Sequence, residues 1–477
     1  MRVVLVHPAG SNWIPGKRDV TVAANRMVPI GLLSIASYLE ANGLEVLVHD
    51  CLGPGAPASI DANVRKILSS DPHLVGFSTT TSAFLDAYEM AKKLREARPS
   101  VKNVFGGIHV SGVGPQLMGR FPEIDYLVFG EGEVTLLELA AGESPRRIEG
   151  LVWRDGEEVV TNSPRELVRD LDSLPLPAYE KLAGFPREYH LPLFSYIRTP
   201  GTAISTSRGC IYQCSYCDRS VFKKGFRSNS SEYTYEHLRY LRKRFGTRHV
   251  NIYDDLFTVN RKRILALCHK LSAEPLGVQF NCAVRIGHTD DELLRALKEA
   301  GCLMVSVGVE SGDPRQLERL KAGVTLDMVK ETIVRIKANG LRAKGLFMMG
   351  VVGDTEESIR RTSDFIIELG LDDMNMSKFT PFPGAPCWST IHAEGTFEEN
   401  WNLMNCVNFV FVPKGIESRE RLDQLYGEHV RRFYTDPTWR KTFMKRIWQH
   451  RRSLRHMLFN LPSFLAARRH FEPRLDG

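Results

Sequence analysis

Twice along this chain, short runs of β-branched and aromatic residues alternate with helix-like stretches, and that alternation restricts the fold more than any other feature. Strands separated by helices pair in parallel, and a parallel sheet needs cover on its faces. The first series runs through 3–6, 45–49, 74–78, 101–105 and 126–129. Each run ends in small or polar residues: His7-Pro8, Asp50, Ser78-Thr79-Thr80-Thr81, Gly106-Gly107 and Gly130-Glu131-Gly132-Glu133. Ligands of open α/β sheets bind at such strand ends. The pattern predicts a doubly wound parallel sheet over 1–140. Residues 141–195 change character, with Asp155-Gly156 reading as a hairpin turn and Leu174-Pro175-Leu176-Pro177 as an extended connector, and are expected to be a linker.

The second series has strands at 250–253, 278–284, 304–309, 345–349 and 375–379, with helices at 290–300, 325–339 and 355–369 between them. About six units fall in 196–400, where a closed barrel needs eight. A partial (β/α)6 barrel is expected, within an α/β fold class. After 400 the strand signals fade. The segment 401–477 reads as basic helices with Phe443, Ile447, Leu454, Leu458 and Leu461 as their apolar positions.

Over 477 residues, 43% hydrophobic and 25% charged composition supports folded cores and excludes a disordered or fibrous chain. No run approaches the ~18 apolar residues of a membrane span, and the first strand is interrupted too soon by His7-Pro8 to be a signal peptide, so the expected location is cytoplasmic. Charge is unevenly spread. Between Arg431 and His470 stand eleven Lys or Arg against one acid, Asp436, which exceeds the formal net charge of +7 and leaves the body slightly acidic. That tail reads as a cap on the barrel, as a surface for an anionic membrane or lipid-like substrate through Trp439, Phe443, Ile447 and Trp448 among Arg440, Lys441, Lys445 and Arg446, or as a nucleic-acid patch. The acidic body argues against the last.

Nine cysteines, an odd number spread along the chain, do not form a disulfide framework, but three fall within eight residues. Cys210, Cys214 and Cys217 form C-x3-C-x2-C directly after a strand. Three thiolates on one tight loop can hold three corners of a cubane iron–sulfur cluster and leave one iron open. The alternative is a structural zinc site, but those show two ligand pairs, and no second pair lies downstream. Cys51, Cys268, Cys282, Cys302, Cys387 and Cys406 stand alone and read as packing; Cys387 lies just past Pro381-Phe382-Pro383-Gly384, near the expected barrel mouth.

With the aromatic Tyr216 before its last cysteine, this motif resembles that of radical S-adenosylmethionine enzymes. The resemblance continues in order through Tyr253-Asp254-Asp255-Leu256-Phe257-Thr258, Gly308-Val309-Glu310-Ser311-Gly312 and Gly350-Val351-Val352-Gly353-Asp354 to Pro381-Phe382-Pro383-Gly384, covering roughly 200–385. It implies a [4Fe-4S] cluster on the three cysteines and S-adenosylmethionine on the open iron, cleaved by one electron to a 5′-deoxyadenosyl radical. Tyr216 is expected against the adenine and Glu310 in contact with the cofactor. Arg285, at a strand end, could pair with its carboxylate or form a structural salt bridge; Gly350 and Gly353 could be turn glycines or could let backbone approach the adenosine. Asp254 and Asp255 are adjacent on a strand, so at most one faces a common site.

The first domain lacks G-x-G-x-x-G. It resembles the cobalamin-binding domain of the larger radical S-adenosylmethionine subfamily through Val28-Pro29-Ile30-Gly31-Leu32, Gly76-Phe77-Ser78-Thr79-Thr80, Phe105-Gly106-Gly107-Ile108-His109 and Phe129-Gly130-Glu131-Gly132-Glu133. The resemblance implies cobalamin held by Ser78, Thr79, Thr80, Gly106, Gly107, His109, Gly130 and Glu131. Where related domains carry Asp-x-His-x-x-Gly to ligate cobalt, this chain reads Leu5-Val6-His7-Pro8-Ala9-Gly10, without the aspartate that would orient His7. A cobalt without a strong protein ligand below it is therefore expected.

Together these imply a methyltransferase acting on an unactivated carbon, fed electrons by an external donor such as flavodoxin or ferredoxin, with a small-molecule, lipid-like or peptide substrate. Oxidative cyclisation with the same cofactors, and a non-catalytic corrinoid or iron–sulfur carrier, are the alternatives.

Overall fold

A computed structural model describes residues 1–10, 26–223, 225–459 and 461. The basic positions Arg468 and Arg469 lie outside them.

The first sheet contains β1 (Arg2–His7), β2 (Glu45–Asp50), β3 (Leu74–Ser78), β4 (Lys102–Gly106), β5 (Tyr126–Val128), β6 (Leu151–Asp155) and β7 (Glu158–Thr161), in the spatial order β2-β1-β3-β4-β5-β6-β7. The first five strands pair in parallel. The Asp155-Gly156 hairpin, expected within a linker, instead adds β6 and β7 antiparallel to the edge of this sheet. Buried Leu151 and Val152 account for that, since their opposite faces enter the two apolar layers flanking the sheet. The order reverses between β1 and β3, which opens a crevice at the C-terminal strand ends.

The second sheet is entirely parallel: β8 (Gly201–Ile204), β11 (His249–Ile252), β12 (Gln279–Val284), β13 (Cys302–Glu310), β14 (Arg342–Met349) and β15 (Asp373–Lys378), adjacent in that order. Between β8 and β11 lie the short strands β9 (Ser207–Arg208) and β10 (Arg227–Ser228), paired antiparallel. Helices return each crossover. Ser230 caps Ser231–Phe245, which ends on left-handed Gly246, and Thr355 with Ser358 forms a capping box at the start of Glu356–Leu369. Six parallel strands with helices outside make the incomplete barrel that the sequence predicts.

Beyond the barrel the chain does not pass straight into helices. The antiparallel strands β16 (Gly395–Phe397) and β17 (Phe411–Pro413) bracket a segment that returns to the first domain. There Trp401, Met404 and Val410 are buried with Phe84, Phe105 and Phe121 in the outer layer of the first sheet. The helices Arg419–Thr435, Pro437–Arg446 and Arg451–Phe459 then follow. Trp439 stacks on Phe443 at 4.9 Å and meets Phe433 and Tyr434; Phe443 reaches Phe194; His450 bonds the Tyr196 carbonyl. The cap reading of the tail describes these contacts. Among the described residues no helix is long and apolar enough to cross a membrane.

Candidate functional site

The cysteine loop leaves the barrel at the end of β8 and is held at its base by three devices. The β9–β10 ladder closes residues 209–226 into a loop. Gly209 turns there with φ +85°, where a Cβ would meet the Gly225 carbonyl at 2.4 Å, so only glycine closes it. Buried Asp254, just past the end of β11, accepts from the Thr206 amide (2.5 Å) and hydroxyl (2.6 Å) and from the Ser207 amide (3.1 Å). Asp255, in the turn that follows, accepts from the Gly209 amide and adds negative charge near Cys210 and Cys217. Both aspartates lie beyond the end of β11, outside any strand, so the strand alternation expected of them does not apply and both meet the base of the cysteine loop.

A further network behind the loop joins the two domains. Arg208 donates to Glu131 (2.6 Å), Glu133 (2.7 Å) and Ser34 (3.1 Å), and Arg227 donates to Glu131 at 2.9 Å. The carboxylates are about 5% exposed, so this is a buried network in which each charge has a partner. Glu131, expected to touch cobalamin, has its carboxylate taken up by two guanidinium groups and the Val168 amide.

The three thiols interact electrostatically. Burial, then Asp255 and the other cysteines, push Cys217 up to about 12, and burial also raises Cys210. Such sulfurs become anionic only against a strong positive charge, which a bound metal centre provides. Among the described residues no three His, Cys, Asp or Glu side chains converge closely enough to hold one metal ion. Three thiols on one loop, close enough to raise one another's titration, are a donor set that fits an iron–sulfur cluster.

Around the loop lie the residues expected at S-adenosylmethionine. The Arg285 guanidinium reaches Cys214 Sγ at 3.8 Å and lies 3.6 Å from the Tyr212 ring centre. Among the described residues no carboxylate pairs with it, which leaves its donors turned to the cysteine loop. Tyr216 is mostly buried against Leu320, Val351 and Phe379; burial first and Glu310 next hold its phenol far above the usual tyrosine range. Glu310 ends β13 at a register shift with φ +70°, a conformation unusual for a residue with a side chain. Its carboxylate meets Lys321 at 3.0 Å, and Lys321 also donates to the Gly308 carbonyl at 2.7 Å. Gly350 turns at φ +80° with its α-carbon against Phe409 and Leu422, and its amide donates to buried Asp354. The Cys387 amide donates to the Ser215 carbonyl at 3.0 Å, fastening the segment after Pro381-Phe382-Pro383-Gly384 to the cysteine loop.

A cavity of about 380 Å³ lies between the domains, at the C-terminal ends of the first sheet. Its walls include Gly76, Ser78, Gly106, Gly107 and Gly130 from the first domain and Ser205, Ser207 and Tyr253 from the barrel. Gly107 has φ +99°, and a Cβ there would meet Thr79 backbone at 2.7 Å. Thr79 is turned inward, its hydroxyl on the Gly106 carbonyl at 3.0 Å, while Thr80 is exposed outside the cavity. His109 also departs from expectation: it is buried against Phe84 and Trp401, with Nδ1 near the Thr81 hydroxyl. The helix Ile108–Val113 carries it to the outer layer, away from the cavity.

His7 gains from another strand the orienting carboxylate that its own lacks. At the end of neighbouring β2, Asp50 accepts from His7 Nδ1 at 2.8 Å and from the Tyr189 hydroxyl at 2.7 Å. The motif Asp-x-His is absent in sequence, yet the aspartate is present in space. The sequence marks Asp50 only as a polar strand end; Lys321, Arg208 and Trp401 are the residues that sequence reasoning missed. Of these, only Arg208 carried a signal, its place immediately before Gly209-Cys210.

Comparison with known proteins decides the family. The pattern of the radical SAM superfamily matches residues 204–366, and that of the B12 binding domain matches 16–140. The chain is 31% identical over 94% of its length to an uncharacterized methyltransferase of Pyrococcus horikoshii, 95% of which is covered. The chain belongs to the cobalamin-binding radical SAM superfamily. Its cofactors are those of the two matched families: S-adenosylmethionine with a [4Fe-4S] cluster, and cobalamin. This radical SAM enzyme is also 25% identical, over 91% of its length and 77% of the relative's, to the anaerobic magnesium-protoporphyrin IX monomethyl ester cyclase of Rubrivivax gelatinosus. In fold it resembles the methyltransferase TsrM of Kitasatospora setae (TM-score 0.68, 18% identity, 91% and 89% of the two chains). It likewise resembles the cobalamin-dependent radical enzyme OxsB (TM-score 0.70, 17% identity, 96% and 72%).

Proposed function

We propose that this enzyme transfers a methyl group to an unactivated carbon. The observation that carries the reading is the shared cavity, whose glycine-lined floor belongs to the first domain and whose roof leads through Ser205–Arg208 into the cysteine loop. When bound, the cluster with S-adenosylmethionine supplies a radical able to remove hydrogen from carbon, and cobalamin supplies the methyl group.

In this reading Cys210, Cys214 and Cys217 hold the cluster. Arg285 presents guanidinium donors for the carboxylate of S-adenosylmethionine beside Cys214, Glu310 offers an acceptor for its amine, and the flat Tyr216 ring lies along its adenine. Gly350 shapes the turn behind them. The cavity takes part of cobalamin, with Ser78, Gly106, Gly107 and Gly130 in contact. Thr79, Thr80, His109 and Glu131 support those contacts or stand outside them. Buried Arg208, Glu131 and Glu133 fix the distance between the two halves. An external one-electron donor such as flavodoxin or ferredoxin completes the system, and the substrate is a small molecule, a lipid-like molecule or a peptide.

The similarity to the Rubrivivax gelatinosus cyclase supports a second reading, oxidative cyclisation on the same scaffold. Anaerobic turnover with deuteromethyl-labelled S-adenosylmethionine separates the two. Label in the product supports methyl transfer; unlabelled product with 5′-deoxyadenosine supports cyclisation. Failure to form 5′-deoxyadenosine under reduction supports a carrier.

A further inference from the structure

We infer that a hollow at the N-terminal end of the barrel, remote from the cysteine loop, binds a phosphate-bearing anion. Arg198 precedes β8, Arg242 lies near the end of helix Ser231–Phe245, Arg248 precedes β11, and Arg451 and Arg452 open helix Arg451–Phe459. With Ile197, Gly277 and Gln449 they wall a space of about 440 Å³ with no acidic residue among the described ones that line it.

Among the described residues none of these five arginines holds a carboxylate. Arg208, Arg261, Arg361 and Arg421 each hold a carboxylate. Arg198 reaches only the Gly277 carbonyl (3.4 Å), Arg242 the Leu276 and Gly246 carbonyls (3.2 and 3.4 Å), and Arg452 the carbonyl and hydroxyl of Thr199. Among the described residues no side-chain partner engages Arg248 or Arg451. Gln449 cannot neutralise them, since its carbonyl accepts from Arg342 at 2.6 Å. A guanidinium has five donors in a planar fork that matches phosphate oxygens. Five like charges around one hollow repel one another until an anion enters.

The site is separate from the catalytic chemistry. β8 runs from Arg198 and the hollow at one end to the cysteine loop at the other, so the anion is neither the S-adenosylmethionine carboxylate nor the reacting substrate. Two sources offer the same chemistry. One is a soluble phosphate compound. The other is the headgroup of an anionic phospholipid, which the neighbouring tail would suit: Trp448 is 78% exposed and Met444 63%, beside Lys441, Lys445 and Arg451, as on helices that lie in a bilayer surface.

The test uses the reconstituted full-length enzyme at low ionic strength. Inorganic pyrophosphate is titrated by calorimetry, and co-sedimentation is measured with phosphatidylcholine vesicles with and without phosphatidylglycerol. We expect saturable binding in at least one arm, weakened about tenfold or more by the double substitution Arg248→Gln, Arg451→Gln. Pelleting that requires phosphatidylglycerol and falls with Trp448→Ala assigns the lipid headgroup; pyrophosphate binding without pelleting assigns the soluble source. Among the described residues neither substituted side chain holds a hydrogen bond or ion pair, so the ligand-free Tm should be unchanged or higher, showing that lost binding is not lost folding. Binding in neither arm, or equal binding by the double variant, overturns the inference.

Discussion

Glu310 and Lys321 form an ion pair at 3.0 Å with both side chains less than a tenth exposed, and Glu310 holds that position with φ +70°. Removing one member of a buried pair leaves the other charge without compensation, at a cost of about 3–5 kcal/mol. Lys321→Met should therefore destabilise the barrel by that order in urea titration. Glu310→Gln, which keeps an acceptor for the ammonium, should lose less stability and weaken S-adenosylmethionine binding more. Equal stability losses in both variants would contradict the dual placement of Glu310.

Arg208 supports a prediction about the two halves. In a double-mutant cycle of Arg208→Ala with Glu133→Gln, the coupling should exceed about 1 kcal/mol because the groups share one buried network. Limited proteolysis of Arg208→Ala should speed cleavage between the first sheet and the barrel. An additive cycle would mean that the network contributes no coupling across the domain boundary.

Stability should fall as the solution is acidified through the histidine range. Burial, with nearby arginines in some cases, lowers His109 and His249 to about 3 and His237, His429 and His450 to about 4. Below the ordinary value near 6.5 the unfolded chain takes up protons that the folded chain refuses, so stability is highest above that value and declines from there toward pH 4. Urea midpoints at successive pH values test this; a midpoint unchanged between pH 7 and pH 5 would refute it. His109→Phe should flatten part of the slope.

Trp401 fills a pocket made by residues roughly 280 positions earlier in the chain. It sits 4.4 Å from the His109 ring, and the Arg120 guanidinium lies 4.7 Å from its centre. Truncation to alanine should cost about 3–5 kcal/mol through the lost burial and the cavity left behind. The loss should appear as earlier melting of the first domain in calorimetry, with the barrel transition little changed.

The elements that could be read from the sequence were those whose signal is local. The apolar run 74–78 became β3 residue for residue, and Cys210, Cys214 and Cys217 lie on the loop that follows a strand, as their position in the sequence indicated. What escaped depends on partners far along the chain. Glycines 106, 107 and 130 line the cavity together with Glu131, but the Glu131 carboxylate is held by Arg208, and nothing in its own neighbourhood announces a guanidinium 77 residues away. His109 follows the same glycines, yet as the second residue of helix Ile108–Val113 it turns to the other face, against Trp401. The missing orienting aspartate of His7 comes from a parallel neighbour, Asp50, because strand register rather than sequence spacing brings the two together.

The return of Trp401 to the first domain also sets an order on biosynthesis. At about 5–20 residues per second, the ribosome delivers Phe121 roughly 14–56 s before Trp401. During that interval the aromatic socket of Phe84, Phe105 and Phe121 lacks its lid. The nascent amino-terminal half is thus left with an open apolar seam that chaperones can reach until the far end of the barrel has been translated.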